Sequence, residues 1–91
     1  MLVAKRFVLR GLVQGVGFRF FAERAATELG IHGWVSNRAD GTVEVFAEGE
    51  RDTLRQFEAQ LRRGPEHAHV DDVWVDDDVP SGRLQGFAVR S

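Results

Sequence analysis

The 91-residue chain is long enough for one modest core and too short for two. With 43% apolar and 29% charged residues it has the balance of a globular rather than a disordered protein, and a net charge of −2 gives no global reason to expect nucleic acid or an anionic membrane as partner. The absence of cysteine removes disulfides, thiolate metal sites and cysteine nucleophiles, and fits a reducing, cytoplasmic compartment. No apolar run approaches a spanning helix, and "MLVAKRFVLRG" alternates apolar and basic residues where a signal peptide would carry an apolar block.

In chain order, residues 2–11 place Phe7 and Leu9 on one parity and Arg6, Val8 and Arg10 on the other, which predicts a strand buried on at least one face. From residue 18 the apolar positions Phe18, Phe21, Ala22, Ala25, Ala26 and Leu29 recur every three or four residues, one stripe of an amphipathic helix, and Gly30 follows as its left-handed cap. "IHGWVSN", the turn "RADG" and "TVEVFAE" predict a β-hairpin, the last alternating Val43, Val45 and Ala47 against Glu44, Phe46 and Glu48. "ERDTLRQFEAQLRRG" predicts a second helix, with Glu50 and Asp52 in its first turn, Arg62 and Arg63 in its last, and Leu54, Phe57 and Leu61 as its buried stripe. "VDDVWVDDDV" and "GFAVR" add two further strands. The order β-α-β-β-α-β with a short extra terminal strand is the split βαβ pattern of a ferredoxin-like α+β sandwich. Right-handed crossovers then place two helices on one face of an antiparallel sheet.

The stretch "GLVQGVGFRFF" (Gly11 to Phe21) stands out because its glycines lie between a strand and a helix start and run straight into Arg19. It has two readings. Glycines there mark a tight turn. Equally, consecutive backbone N–H groups and the open end of a helix can cradle an anion, and a guanidinium beside them can grip two phosphate oxygens. Neither a Walker loop nor a dinucleotide fingerprint fits, since Phe18-Arg19 and Phe20 stand where their required residues belong. Asn37 closes the second strand. The first two strands run parallel in this topology, so Asn37 and the loop can meet in space; read alone, Asn37 is also an ordinary turn residue.

"VQGVGFR" followed by "GWVSNRADGTV" resembles the acylphosphatase family, and the resemblance runs over essentially the whole chain, so that residues 1–91 read as a single acylphosphatase-like domain. The resemblance implies hydrolysis of acyl phosphates to a carboxylate and inorganic phosphate, without metal or other cofactor. It assigns the phosphate to Arg19 and to the backbone amides of Gly15, Val16, Gly17, Phe18 and Arg19, and the orientation of the attacking water to Asn37. It also implies a small-molecule substrate, inorganic phosphate or a similar anion in the loop, and a monomer. Ser91 departs from the pattern, since many relatives carry an aromatic after the last arginine.

Other constellations are weaker. His67 and His69, with His32 elsewhere, lack further ligands at metal-binding spacing and read as solvated loop residues. Asp76 to Asp78 read as a solvated acidic strand end and not as a phosphorylated nucleophile. Trp34, Trp74, Phe7 and Phe57 read as core or sheet-face packing. RNA recognition motifs share this element order and a glycine-aromatic signature, but theirs lies on the third strand, where this chain has Glu44, Phe46 and Glu48. A phosphate-sensing module, or a cousin of the acylphosphatase-like domain of hydrogenase maturation proteins, would keep the fold without the catalysis; the lack of an attached domain favours the free-standing enzyme.

Overall fold

The computed structural model describes residues 1–91. Its elements are β1 (Leu2–Leu12), α1 (Phe18–Leu29), β2 (His32–Asn37), β3 (Val43–Glu50), α2 (Arg51–Arg63), β4 (His69–Asp78) and β5 (Phe87–Arg90). The strands form one five-stranded sheet in the order β4-β1-β3-β2-β5. β1 to β4 pair antiparallel, as a ferredoxin-like sandwich requires. β5 joins the far edge parallel to β2, so the complete sheet is mixed rather than antiparallel throughout. The reason is directional. β4 runs with β3, and a chain that turns back after β4 arrives running with β2.

The helices bury the stripes their spacing predicts. Leu54, Phe57 and Leu61 of α2 are fully buried, as are Phe18, Ala22 and Ala26 of α1 to within 1%. They pack on Phe7, Leu9, Val35, Val43, Val45 and Ala47, which share the helix-facing parity of the sheet. Phe57 meets Phe7 and Phe87 edge-to-face at 6.3 and 5.8 Å. Each such side chain contributes about 1.5–3 kcal/mol by leaving water. Gly30 caps α1 in the left-handed conformation, its N–H reaching back to Thr27, while Ile31 donates to Ala26.

Three local expectations shift. Glu50 completes β3 instead of opening the second helix, and it accepts a hydrogen bond from the N-terminal ammonium at 2.8 Å. His69 opens β4, paired with Leu12, and lies 3.2 Å from Asp71; it is not a loop residue. On the face of β3 turned away from the helices, Phe46 and Glu48 are also buried. Trp34 stacks on Phe46, and the segment between β4 and β5 folds over Glu48, whose carboxylate accepts from the N–H groups of Ser81 and Gly82. Elsewhere that face is laced by charge. Arg6 binds Glu44 and Asp78, which together hold its guanidinium above its already high pKa, the Glu44 hydrogen bond most strongly. No helix is long and apolar enough to cross a membrane.

Candidate active site

The register of the sheet brings the two sequence-derived elements together. Leu9 of β1 and Asn37 of β2 both pair with Val43 of β3, from opposite sides. β1 ends three residues beyond Leu9, at Leu12, and the connection to α1 turns back at the same end of the sheet where β2 finishes. Val13 and Phe18, each 1% exposed, pin both ends of this loop into the core, and Val16 packs against it from within. Between them Gly15 and Gly17 both take φ of 77°. A side chain at either would meet nothing within 4 Å, so glycine serves the backbone conformation there and not a lack of space.

This conformation leaves the loop amides without partners. Residues 13–17 contribute one backbone hydrogen bond, the Gly17 carbonyl accepting from Phe21 N–H at 3.0 Å. α1 therefore opens with its first N–H groups unpaired, no capping side chain and no acidic residue in the first turn. The positive end of the helix dipole faces outward uncompensated.

Asn37, on the same helix-facing parity as Val35, sends its side chain toward the loop. Its Oδ1 is buried and has no hydrogen-bond partner. A buried acceptor in that state costs about 1–3 kcal/mol until something donates to it. Asn37 lines a pocket of about 110 Å³ together with Val13, Gly15, Gly17, Phe18, Arg19 and Phe20. Arg19 takes part in none of the molecule's ion pairs. One arm of its guanidinium, Nη1, donates to the Arg90 carbonyl of β5 at 2.9 Å, which anchors the side chain. Of the expected residues, Val16 alone does not line the pocket; its side chain turns into the core while its N–H stays unpaired.

Gln14 carried no assigned role in the sequence reading, yet it joins the two halves. Its Nε2 donates to the carbonyls of Arg38 at 2.8 Å and Thr42 at 2.9 Å, tying the loop to the turn that follows Asn37. Its place inside the "VQGVG" string was the one signal. The turn is braced by Asp40, whose Oδ1 accepts from the Thr42 hydroxyl at 2.6 Å and N–H at 3.0 Å. These two bonds, the hydroxyl first, hold the Asp40 carboxyl below its usual range, and Arg38 adds attraction.

A larger cleft of about 480 Å³ lies on the far side of the fold, lined by β1, α2 and the end of β4. Lys5 there meets Asp77 at 3.0 Å, and no buried side-chain polar atom in the cleft lacks a partner. The buried side-chain oxygen without a partner, Asn37 Oδ1, lies at the smaller pocket instead.

The acylphosphatase family model matches residues 5–89. The chain belongs to the acylphosphatase family. An acylphosphatase of Koribacter versatilis is 48% identical over 86 residues, spanning 94% of this chain and 78% of that protein. The crystal structure of an acylphosphatase from Bacillus subtilis superposes with a TM-score of 0.94 at 35% identity, each chain covered completely. The acylphosphatase fold also lies within a far longer protein, full-length HypF, with a TM-score of 0.91 and 25% identity over 12% of that chain.

Proposed function

We propose that this acylphosphatase-family protein hydrolyses acyl phosphates to a carboxylate and inorganic phosphate in the pocket between the β1–α1 loop and Asn37. In this reading the amides of Gly15, Val16, Gly17, Phe18 and Arg19 seat the phosphate, the Arg19 guanidinium clamps it, and Asn37 orients the attacking water. The observation that carries the proposal is the meeting of three unsatisfied features in one small pocket: loop amides without acceptors, an arginine without a carboxylate, and a buried amide oxygen without a donor.

So sparse a site is chemically sufficient. The leaving group is a carboxylate whose conjugate acid has a pKa of about 4, so it departs at neutral pH without a general acid. Phosphoryl transfer passes through a loose transition state in which catalysis is mostly positioning and stabilisation of charge on the equatorial oxygens. Arg19 and the amides supply that charge complement, which leaves no step calling for a metal or another cofactor. The Asn37 Oδ1 accepts one O–H of the water and fixes its angle of approach. The bond from phosphorus to the carboxylate oxygen breaks as the bond to water forms. The water's proton passes to a phosphate oxygen, since no side-chain base lines the pocket.

Residues 1–91 act in this proposal as one domain, a cytoplasmic monomer that binds its small-molecule substrate and phosphate, with no nucleic acid or membrane partner. Support comes from the small negative net charge and the absence of cysteine. The test is hydrolysis of benzoyl phosphate and acetyl phosphate in excess chelator. Turnover unaffected by chelator is expected. Failure to hydrolyse either compound refutes the enzymatic reading, and turnover that disappears with chelator refutes the metal-free mechanism.

A further inference from the structure

Three apolar side chains line the site pocket, and they face different surroundings. Val13 and Phe18 are each 1% exposed and belong to the core, whereas Phe20 is 63% exposed. An exposed phenylalanine by itself is commonplace. What gives this one meaning is its place. It is the third residue of α1, next to Arg19, so its ring stands in water at the mouth of the pocket whose floor holds the unpaired amides.

The reaction geometry fixes what passes that mouth. Attacking and leaving oxygens lie roughly in line across the transferring phosphorus. The Asn37 Oδ1 is fully buried, so the water it orients approaches from the closed end of the pocket. The leaving carboxylate then points the opposite way, out toward solvent, and the acyl group it carries emerges at the rim. The apolar surface available to that group is Phe20. No carboxylate lines the pocket to favour a cationic acyl group.

We infer that Phe20 is a specificity-determining residue whose ring packs against the acyl group of the substrate, so that aromatic acyl phosphates are preferred over acetyl phosphate. The inference rests on the phosphate site proposed above and names the substrate class it takes. An aromatic ring resting on Phe20 gains an offset or edge-to-face contact, and a methyl group gains little. The contact exists in both the bound substrate and the transition state, so it acts through KM.

The test compares kcat/KM for benzoyl and acetyl phosphate in the wild type, Phe20→Ala and Phe20→Trp. The benzoyl-to-acetyl ratio is expected to fall about three- to tenfold in Phe20→Ala, mainly through KM for benzoyl phosphate, and to persist in Phe20→Trp. A ratio unchanged in Phe20→Ala overturns the inference. So does an equal loss for both substrates, which would mark a purely structural effect on the loop. Binding of the non-hydrolysable analogues benzoylphosphonate and acetylphosphonate, measured by calorimetry, gives a second readout independent of turnover. A preference for benzoylphosphonate that depends on Phe20, in a protein that hydrolyses neither acyl phosphate, would refute the proposed hydrolysis and uphold the acyl contact. Equal affinity for the two analogues would overturn the contact whatever the activity.

Discussion

Gln14→Glu cuts the tie between the two halves of the proposed site while conserving shape. The Gln14 Nε2 donates to the carbonyls of Arg38 and Thr42 at 2.8 and 2.9 Å. An ionised carboxylate has no donor, so both bonds are lost and a negative charge faces two carbonyl oxygens. A net hydrogen bond contributes about 0.5–1.5 kcal/mol, which puts the loss near 2 kcal/mol before any repulsion is added. For a domain of this size that corresponds to a fall in Tm of about 8–16 °C. Catalysis should suffer as well, because the freed carbonyls belong to the turn that positions Asn37. Displacements of about 1 Å at such positions cost up to roughly a hundredfold, so kcat is expected to drop about ten- to hundredfold. Gln14→Ala loses less, since water can reach the two carbonyls and no charge opposes them. Protonation of the introduced carboxyl restores one donor, so the gap between the two variants should narrow as pH falls toward about 4. Urea unfolding and benzoyl phosphate turnover at pH 7 and near pH 4.5 measure both effects. Gln14→Glu as stable as the wild type, or destabilised with kcat intact, would refute this account of the loop.

Arg19→Ala should lose about 10³–10⁵ in turnover, or roughly 4–7 kcal/mol of transition-state stabilisation, with the fold retained; more than about a tenth of wild-type turnover contradicts the proposed clamp. Asn37→Ala should abolish most turnover, leave inorganic phosphate affinity near normal, and raise stability by about 1 kcal/mol in urea unfolding, because it deletes a buried acceptor that has no partner; a loss of phosphate affinity would count against water orientation as its role. Asp40 is held below its usual pKa first by the Thr42 hydroxyl, so its stabilisation is complete above the unfolded-state value and is lost as pH falls through the lower folded-state one. The turn should therefore weaken below about pH 4, and Asp40→Asn should flatten that part of the acid limb in urea midpoints taken from pH 2 to 6; an identical acid limb in the variant argues against it. Gly17→Ala meets no steric obstacle but forces a left-handed backbone, so it should fold, cost about 1–2 kcal/mol and weaken phosphate binding by calorimetry; phosphate affinity unchanged alongside the expected destabilisation would separate the loop's conformation from its proposed binding role.

What the sequence made legible follows from the range of the interactions involved. The stripes of both helices are local patterns, and Leu54, Phe57 and Leu61 could be read from spacing alone. The approach of Asn37 to the glycine loop is long-range, yet parallel first and second strands imply it once the element order is known. The structure added contacts that no local pattern encodes. The Arg19 anchor on the Arg90 carbonyl spans most of the chain, and it depends on β5 adding parallel to β2. Gln14 could not be given a role without knowing that two carbonyls of the hairpin turn point at it. Alternation sets Glu48 on the face of β3 opposite Val43, Val45 and Ala47, yet the segment from Val79 to Gly86 folds over that end of the sheet and buries it at 2% exposure. Alternation reports which face a side chain takes and says nothing of what later covers that face.

The distribution of satisfied and unsatisfied groups argues for where the chemistry lies. Buried Glu48 accepts from two N–H groups, Asp40 accepts from the Thr42 N–H and hydroxyl, and Gln14 serves two carbonyls. Around these well-paired residues, the pocket at the start of α1 concentrates the opposite condition. Its amides have no acceptor, its arginine has no counter-ion and its asparagine oxygen has no donor. The Asn37 oxygen lowers the stability of the empty protein because it is buried, whereas the amides of Gly15 and Gly17 and the Arg19 guanidinium are open to water and await a ligand at little cost. One occupant can engage all three. A phosphoryl group offers oxygens to the amides and to Arg19, and a water drawn in behind it offers a hydrogen to Asn37. The same arrangement explains why charge, rather than a base or a metal, is what the pocket has to give. In the proposed hydrolysis it would meet negative charge with fixed N–H dipoles and one guanidinium already in place, so that nothing need reorganise as the charge spreads in the transition state.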